Sequence, residues 1–100
     1  MPLLLEQKDD HTEARLQGEL TIFNIEEYQD ELLNLLNHKE ITLDLSELHE
    51  LDGCGAQMLA ILQIEAQRAG KRISLIANNP VIEHTMQCLG ISTVHPNKGH

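Results

Sequence analysis

The sequence predicts an α/β domain, an open and mainly parallel sheet with helices packed on it and an antiparallel hairpin at its N-terminal edge. Three observations predict this. The apolar period switches repeatedly between strand-like and helix-like, in the order β-β-α-β-α-β-α-β. The helical stretches between the later strands are long enough to cross back over a sheet, which implies right-handed crossovers between parallel strands. One hundred residues with 41% hydrophobic and 23% charged side chains can build one ordinary core and no second. The expected organisation is a single domain over 1–95 and a flexible tail over 96–100.

The first two strands are expected at Leu3 to Gln7 and Thr12 to Gln17, around a Lys8-Asp9-Asp10 turn. Ala14 and Leu16 alternate with Glu13, Arg15 and Gln17, as in a strand with one wet face. Asn24, with Glu27 three residues on, has the spacing of a capping box, and Phe23 and Tyr28 occupy the two staple positions. Ile25, Tyr28, Leu32, Leu35 and Leu36 then recur at helical spacing among acidic residues. After a polar Asn37-His38-Lys39-Glu40 connection, Ile41 to Leu45 reads as a strand, followed by a loop from Ser46 to Gly55. Ala56 to Ala69 is strong helix former, apolar at Leu59, Leu62, Ala66 and Ala69 and again at Met58, Ile61 and Ile64, so burial on more than one side is expected. Gly70 ends that helix and Arg72 to Ala77 reads as the next strand. Asn79-Pro80 opens a third helix that Gly90 stops, and Ile91 to Val94 closes the sheet.

Charge excludes several functions. The formal net charge is −9, from 16 Asp and Glu against 7 Lys and Arg, and the cations form no stripe that could neutralise phosphates, so nucleic acid is not expected as a partner. The same surplus opposes direct contact with anionic lipid. No apolar run approaches the roughly 20 residues of a spanning helix. Two cysteines are too few for a disulfide scaffold, and no signal-peptide pattern precedes them, so a cytoplasmic location is expected.

In open parallel sheets, function concentrates beyond the carboxyl ends of the strands, which here points to Ser46 to Gly55. Asp52 stands where a helix N-cap belongs, and Gly53 and Gly55 allow close approach. Cys54 lies between them at the positive end of the helix. His84 and Cys88 share a helix face, but two ligands make no structural metal site. His49, Asp52 and Cys54 are too close in sequence to assemble a nucleophile, base and orienter. No Gly-rich phosphate loop with a Lys is present. No metal, cofactor or catalytic residue is therefore assigned, and the protein is not expected to be an enzyme.

Four segments resemble the STAS family of bacterial anti-sigma-factor antagonists and sulfate-transporter tails: Gly18-Glu19-Leu20-Thr21, Leu43-Asp44-Leu45-Ser46, Leu51-Asp52-Gly53-Cys54-Gly55 and Gly70-Lys71-Arg72-Ile73-Ser74-Leu75. With Leu89-Gly90-Ile91 the resemblance spans about residues 12 to 94. It implies the anti-sigma-factor-antagonist fold and a bacterial regulatory module that binds an anti-sigma factor or a related serine- or histidine-kinase-like ATPase, in sigma-factor or chemotaxis-linked signalling. The implied partner-binding and switch residues are Ser46, Asp52, Gly53, Cys54, Gly55 and Gln57, with Ala60 beside them, Cys54 and Gly55 leaving room for a partner's backbone.

One departure matters. Family members usually carry a Ser or Thr between the Asp and the Gly, which a partner kinase phosphorylates, whereas Gly53 and Cys54 offer no hydroxyl. The expectation is a constitutively unphosphorylated-like adaptor. Two other readings are a cytoplasmic STAS subunit of an ABC-type lipid transport complex, and a variant switched through the Cys54 thiol, which a helix N-terminus favours as thiolate and the Asp52 charge opposes.

Overall fold

The fold follows from where the period-two strands meet. The computed structural model describes residues 3–8, 11–91 and 93. In β2 (His11–Leu16), Thr12, Ala14 and Leu16 point inward and are buried while their neighbours are not. β1 (Leu3–Lys8) pairs with it antiparallel, from Leu3 opposite Leu16 to Lys8 opposite His11. Lys8 thus belongs to the strand and not to the turn expected for it; Asp9 and Asp10 lie outside the described residues. β4 (Glu40–Asp44) runs parallel to β2, and β6 (Arg72–Ile76) parallel to β4, giving the sheet order β1-β2-β4-β6. Ile41, Leu43 and Leu75 join Ala14 and Leu16 in the core. The alternate residues Glu13, Arg15, Thr42 and Asp44 line the opposite face.

Two short strands were not expected. β3 (Gly18–Leu20) and β5 (Leu48–Leu51) form a separate parallel pair. Gly18 has a φ of 89°, which only glycine adopts freely, so β2 stops at Leu16 instead of running to Gln17. The supposed loop from Ser46 to Gly55 therefore contains a strand and the first turn of a helix. Four residues that include His49 and Glu50 are too few and too polar for a periodicity reading.

The helices close over this frame. α1 (Ile25–Asn34) buries Tyr28 and Leu32 and passes into a 3-10 turn at Leu35–Asn37. α2 (Gly53–Arg68) starts three residues earlier than Ala56 and buries Met58, Leu59, Leu62 and Ala66. Ile61 and Ile64 remain 40% and 54% exposed, which corrects the expectation of burial on more than one side. α3 (Pro80–Cys88) is capped by Asn79, whose Oδ1 accepts from the Val81 and Ile82 N–H groups at 3.1 and 3.4 Å. Glycines with positive φ follow both α2 and α3, at Gly70 and Gly90. The expected last strand is not found among the described residues: Ile91 is buried but neither it nor Thr93 is in a strand, and Ser92, Val94 and the 96–100 tail lie outside the described residues. No helix among the described residues is long and apolar enough to cross a membrane.

Candidate functional site

Parallel pairing of β3 and β5 brings their carboxyl ends together, with Leu20 opposite Leu51. The chain leaves them through two turns that therefore lie side by side, residues 21–24 into α1 and Asp52 into α2. Asp52 ties the two together. Its Oδ1 accepts from the Gly55 N–H at 2.9 Å, the helix cap, and its Oδ2 accepts from the Ile22 N–H at 2.9 Å. Its own N–H donates to the Leu20 carbonyl at 3.4 Å.

These donors hold the Asp52 carboxyl below the usual carboxylate range, the Gly55 N–H most and the Ile22 N–H next. A depressed folded value means that the carboxylate's contribution is complete above the unfolded value, near ~3.9, and is lost as pH falls through the lowered folded one. The expected result is that the Ile22 and Gly55 amide resonances move together in that acid range, and that Asp52→Asn removes the transition.

Gly55 lies within this junction and is buried. A Cβ on it would run into the Leu20 carbonyl oxygen and lie 3.0 Å from Leu51 Cδ1. The room it leaves is occupied by the chain's own backbone, not held open for a partner, which corrects that part of the sequence reading. Gly53 has nothing within 4 Å of its would-be Cβ, and Gly53, Cys54 and Gln57 are exposed. Gly53 and Gln57, together with Ala56 and Ala60, border a shallow groove closed on its far side by Leu89 and Ile91, and Cys54 is not part of its lining.

Ser46 is placed elsewhere. Its Oγ accepts from the Asn78 N–H at 2.8 Å, and its N–H donates to Asp44 Oδ1 at 2.9 Å. Asn79 Nδ2 donates to the Ser46 and Leu48 carbonyls at 3.4 and 3.1 Å. Ser46 thus latches the turn after β4 to the start of α3, while Asp52 and Gly55 work on the β3 side.

The turn before α1 joins the site through residues that the sequence reading had placed at a helix start and not in the site. Asn24 does not cap α1 with its side chain. Its Oδ1 accepts from the Thr21 N–H at 2.8 Å and its Nδ2 donates to the Glu19 carbonyl at 2.7 Å, facing backward into the turn. Thr21 Oγ1 donates to Glu19 Oε1 at 2.7 Å and accepts from the Phe23 N–H at 3.3 Å. Tyr28 is buried but Phe23 is 89% exposed, so the expected hydrophobic staple is absent. Ile22 beside it is 58% exposed. The apolar pair before a helix was visible in the sequence; that it faces outward depends on the Asn24 and Asp52 hydrogen bonds.

Across β3 and β5, Glu19 stands opposite Glu50. Like charges in register repel, so Glu50→Gln is expected to stabilise the free domain by about 0.2–1 kcal/mol, read as a raised urea midpoint.

The other candidates do not assemble. Among the described residues no hydrogen bond joins His49 to Asp52 or Cys54, and the Asp52 oxygens are taken by backbone N–H groups. His84 Nε2 and Cys88 Sγ are 3.5 Å apart on exposed α3, but no group of three or more potential metal ligands occurs among the described residues.

Comparison with known proteins gives a consistent picture. The family model described as Mlab, STAS domain matches residues 3–96. Osmosensory protein A of Mycobacterium tuberculosis is 32% identical over 73 residues, covering 72% of this chain and 46% of that protein, so the chain spans just under half the relative's length. An anti-sigma factor antagonist from Mycobacterium paratuberculosis superposes with a TM-score of 0.81 at 17% identity, over 96% of this chain and 86% of that one. The anti-sigma factor antagonist SpoIIAA in its unphosphorylated form superposes with a TM-score of 0.70 at 18% identity, over 96% and 90%.

Proposed function

The chain belongs to the STAS domain family, and from that premise we propose that it is a regulatory protein-binding module of the anti-sigma-factor-antagonist kind, docking through the exposed start of α2. The observation that carries this reading is the junction at Asp52. It fixes an exposed helix start, Gly53-Cys54 with Gln57, against a rigid turn, and it does so with internal hydrogen bonds that need no ligand. Such a preorganised surface suits a protein partner, because little ordering entropy remains to be lost on docking. Structural relatives described as anti-sigma factor antagonists support an anti-sigma factor as the partner class, and a related kinase-like ATPase is the finer part of this proposal. Members of this family are typically binding modules, which supports a binding role here.

The helix start is where a phosphoryl group would be best held, since backbone N–H groups there favour anions. Gly53 and Cys54 provide no oxygen to receive one. The module is therefore read as permanently binding-competent, with control exercised on the partner or through abundance. The test is affinity purification of the tagged chain from its cells of origin, followed by incubation of the isolated complex with ATP and intact-mass measurement. The expected partner is an ATPase of the anti-sigma or kinase class, retained by the wild type and lost by Asp52→Ala; the wild type keeps its mass and Cys54→Ser gains a phosphate. Phosphate on residues 52–56 of the wild type would overturn the permanent state. An ABC-type ATPase with its permease in place of the expected partner would move the assignment to the transport reading. Reversible oxidation of Cys54 that releases the partner would move it to the thiol reading.

A further inference from the structure

The surface around the docking site carries an uneven distribution of charge and apolar area. Phe23 stands almost fully in solvent, with Ile22 next to it, on a turn pinned by the Thr21, Asn24 and Asp52 hydrogen bonds. Exposed large apolar groups are ordinary when isolated, but an aromatic ring held on a rigid turn is the usual form of an interface anchor. Around it lie Glu19, Glu50, Glu26 and Glu27, the last two in the first turn of α1. Among the described residues none of these four has a Lys or Arg partner. Lys39, Lys71 and Arg72 stand at the other end of the parallel strands and Arg68 ends α2, Arg72 and Arg68 meeting Glu40 and Glu65 there, while Arg15 near the carboxyl end of β2 meets Asp44. The Phe23 turn is thus bordered by carboxylates that no Lys or Arg among the described residues neutralises.

Resting on the docking reading above, we propose that Phe23 is the anchoring side chain of the interface and that the partner receives it in an apolar pocket bordered by Lys and Arg. The carboxylates, two of them in repulsive register, would steer and align such a surface and gain their missing counter-charges from it. A membrane is the poorer occupant, because anionic headgroups would meet the same carboxylates, and a second copy would bring its own acidic end against this one.

The test places the photo-reactive residue p-benzoylphenylalanine at position 23, and in a second variant at position 57, of the full chain in its cells of origin, and maps the adducts by mass spectrometry. The expected result is that both positions crosslink to one protein, and that the position 23 adduct falls on an apolar peptide flanked by Lys or Arg. In the purified complex, Phe23→Ala is expected to weaken binding at least about thirty-fold, Phe23→Leu to restore much of it, and raised salt to slow association. An adduct from position 23 to lipid, to a second copy of this chain or to an acidic peptide overturns the proposal. So does a position 57 adduct with none from 23. Absence of any protein adduct from both positions overturns the docking reading itself.

Discussion

Replacing Gly55 with alanine is expected to destabilise the domain by about 3 kcal/mol or more, at the upper end of what overpacking costs. The position is helical and would otherwise favour alanine, by about 1 kcal/mol. Sterics decide against it. The added methyl would enter the Leu20 carbonyl, which belongs to backbone and cannot rotate away as a side chain would. Moving it would draw β3 from β5 and loosen the Asp52 N–H bond to the same carbonyl. Gly53→Ala, two residues earlier in open space, is the matched control and is expected to be neutral or stabilising by up to about 1 kcal/mol. Urea unfolding of both variants measures the difference, with unchanged slope showing that the same surface is exposed on unfolding.

Truncation along α2 is the second large effect. Leu62 is fully buried, and Leu62→Ala is expected to cost about 2–5 kcal/mol, the sum of lost transfer energy and the cavity left behind. Ile64→Ala, two positions on, is expected to stay within about 0.5 kcal/mol because that side chain already meets water. If Ile64→Ala cost as much as Leu62→Ala, α2 would be buried on two sides, as its composition suggests.

That contrast shows how far the sequence could be read. The alternation of strand and helix, the hairpin edge and the parallel centre all follow from apolar period, and Leu43 and Leu75 fall in the core where the pattern puts them. Asn79 and Asp52 cap the helices they precede, since a side-chain oxygen one residue before a helix has few other local uses. Asn24 had another use: Thr21 and Glu19 offered it partners on the upstream side, so the same residue type at the same spacing closed a turn instead of a helix. Ile64 was misread because composition cannot say which of two apolar rows on a helix finds a neighbour. β3 and β5 were missed because their stability lies in pairing over a separation of some thirty residues, which no local window contains. The role of Gly55 was invisible for the same reason, as its close neighbour Leu20 sits on β3, far upstream of α2.

In the proposed function, the partner docks at the start of α2 and on the acidic turn before α1. At 11.3 kDa the chain suits heteronuclear NMR, and titrating the isotope-labelled protein with its purified partner tests the claim directly. The largest amide shifts are expected on Ile22, Phe23, Gly53, Cys54 and Gln57, while Lys39, Gly70 and Lys71 stay in place. Shifts concentrated on those last three, or on Glu13, Thr42 and Asp44 across the open face of the sheet, would contradict it.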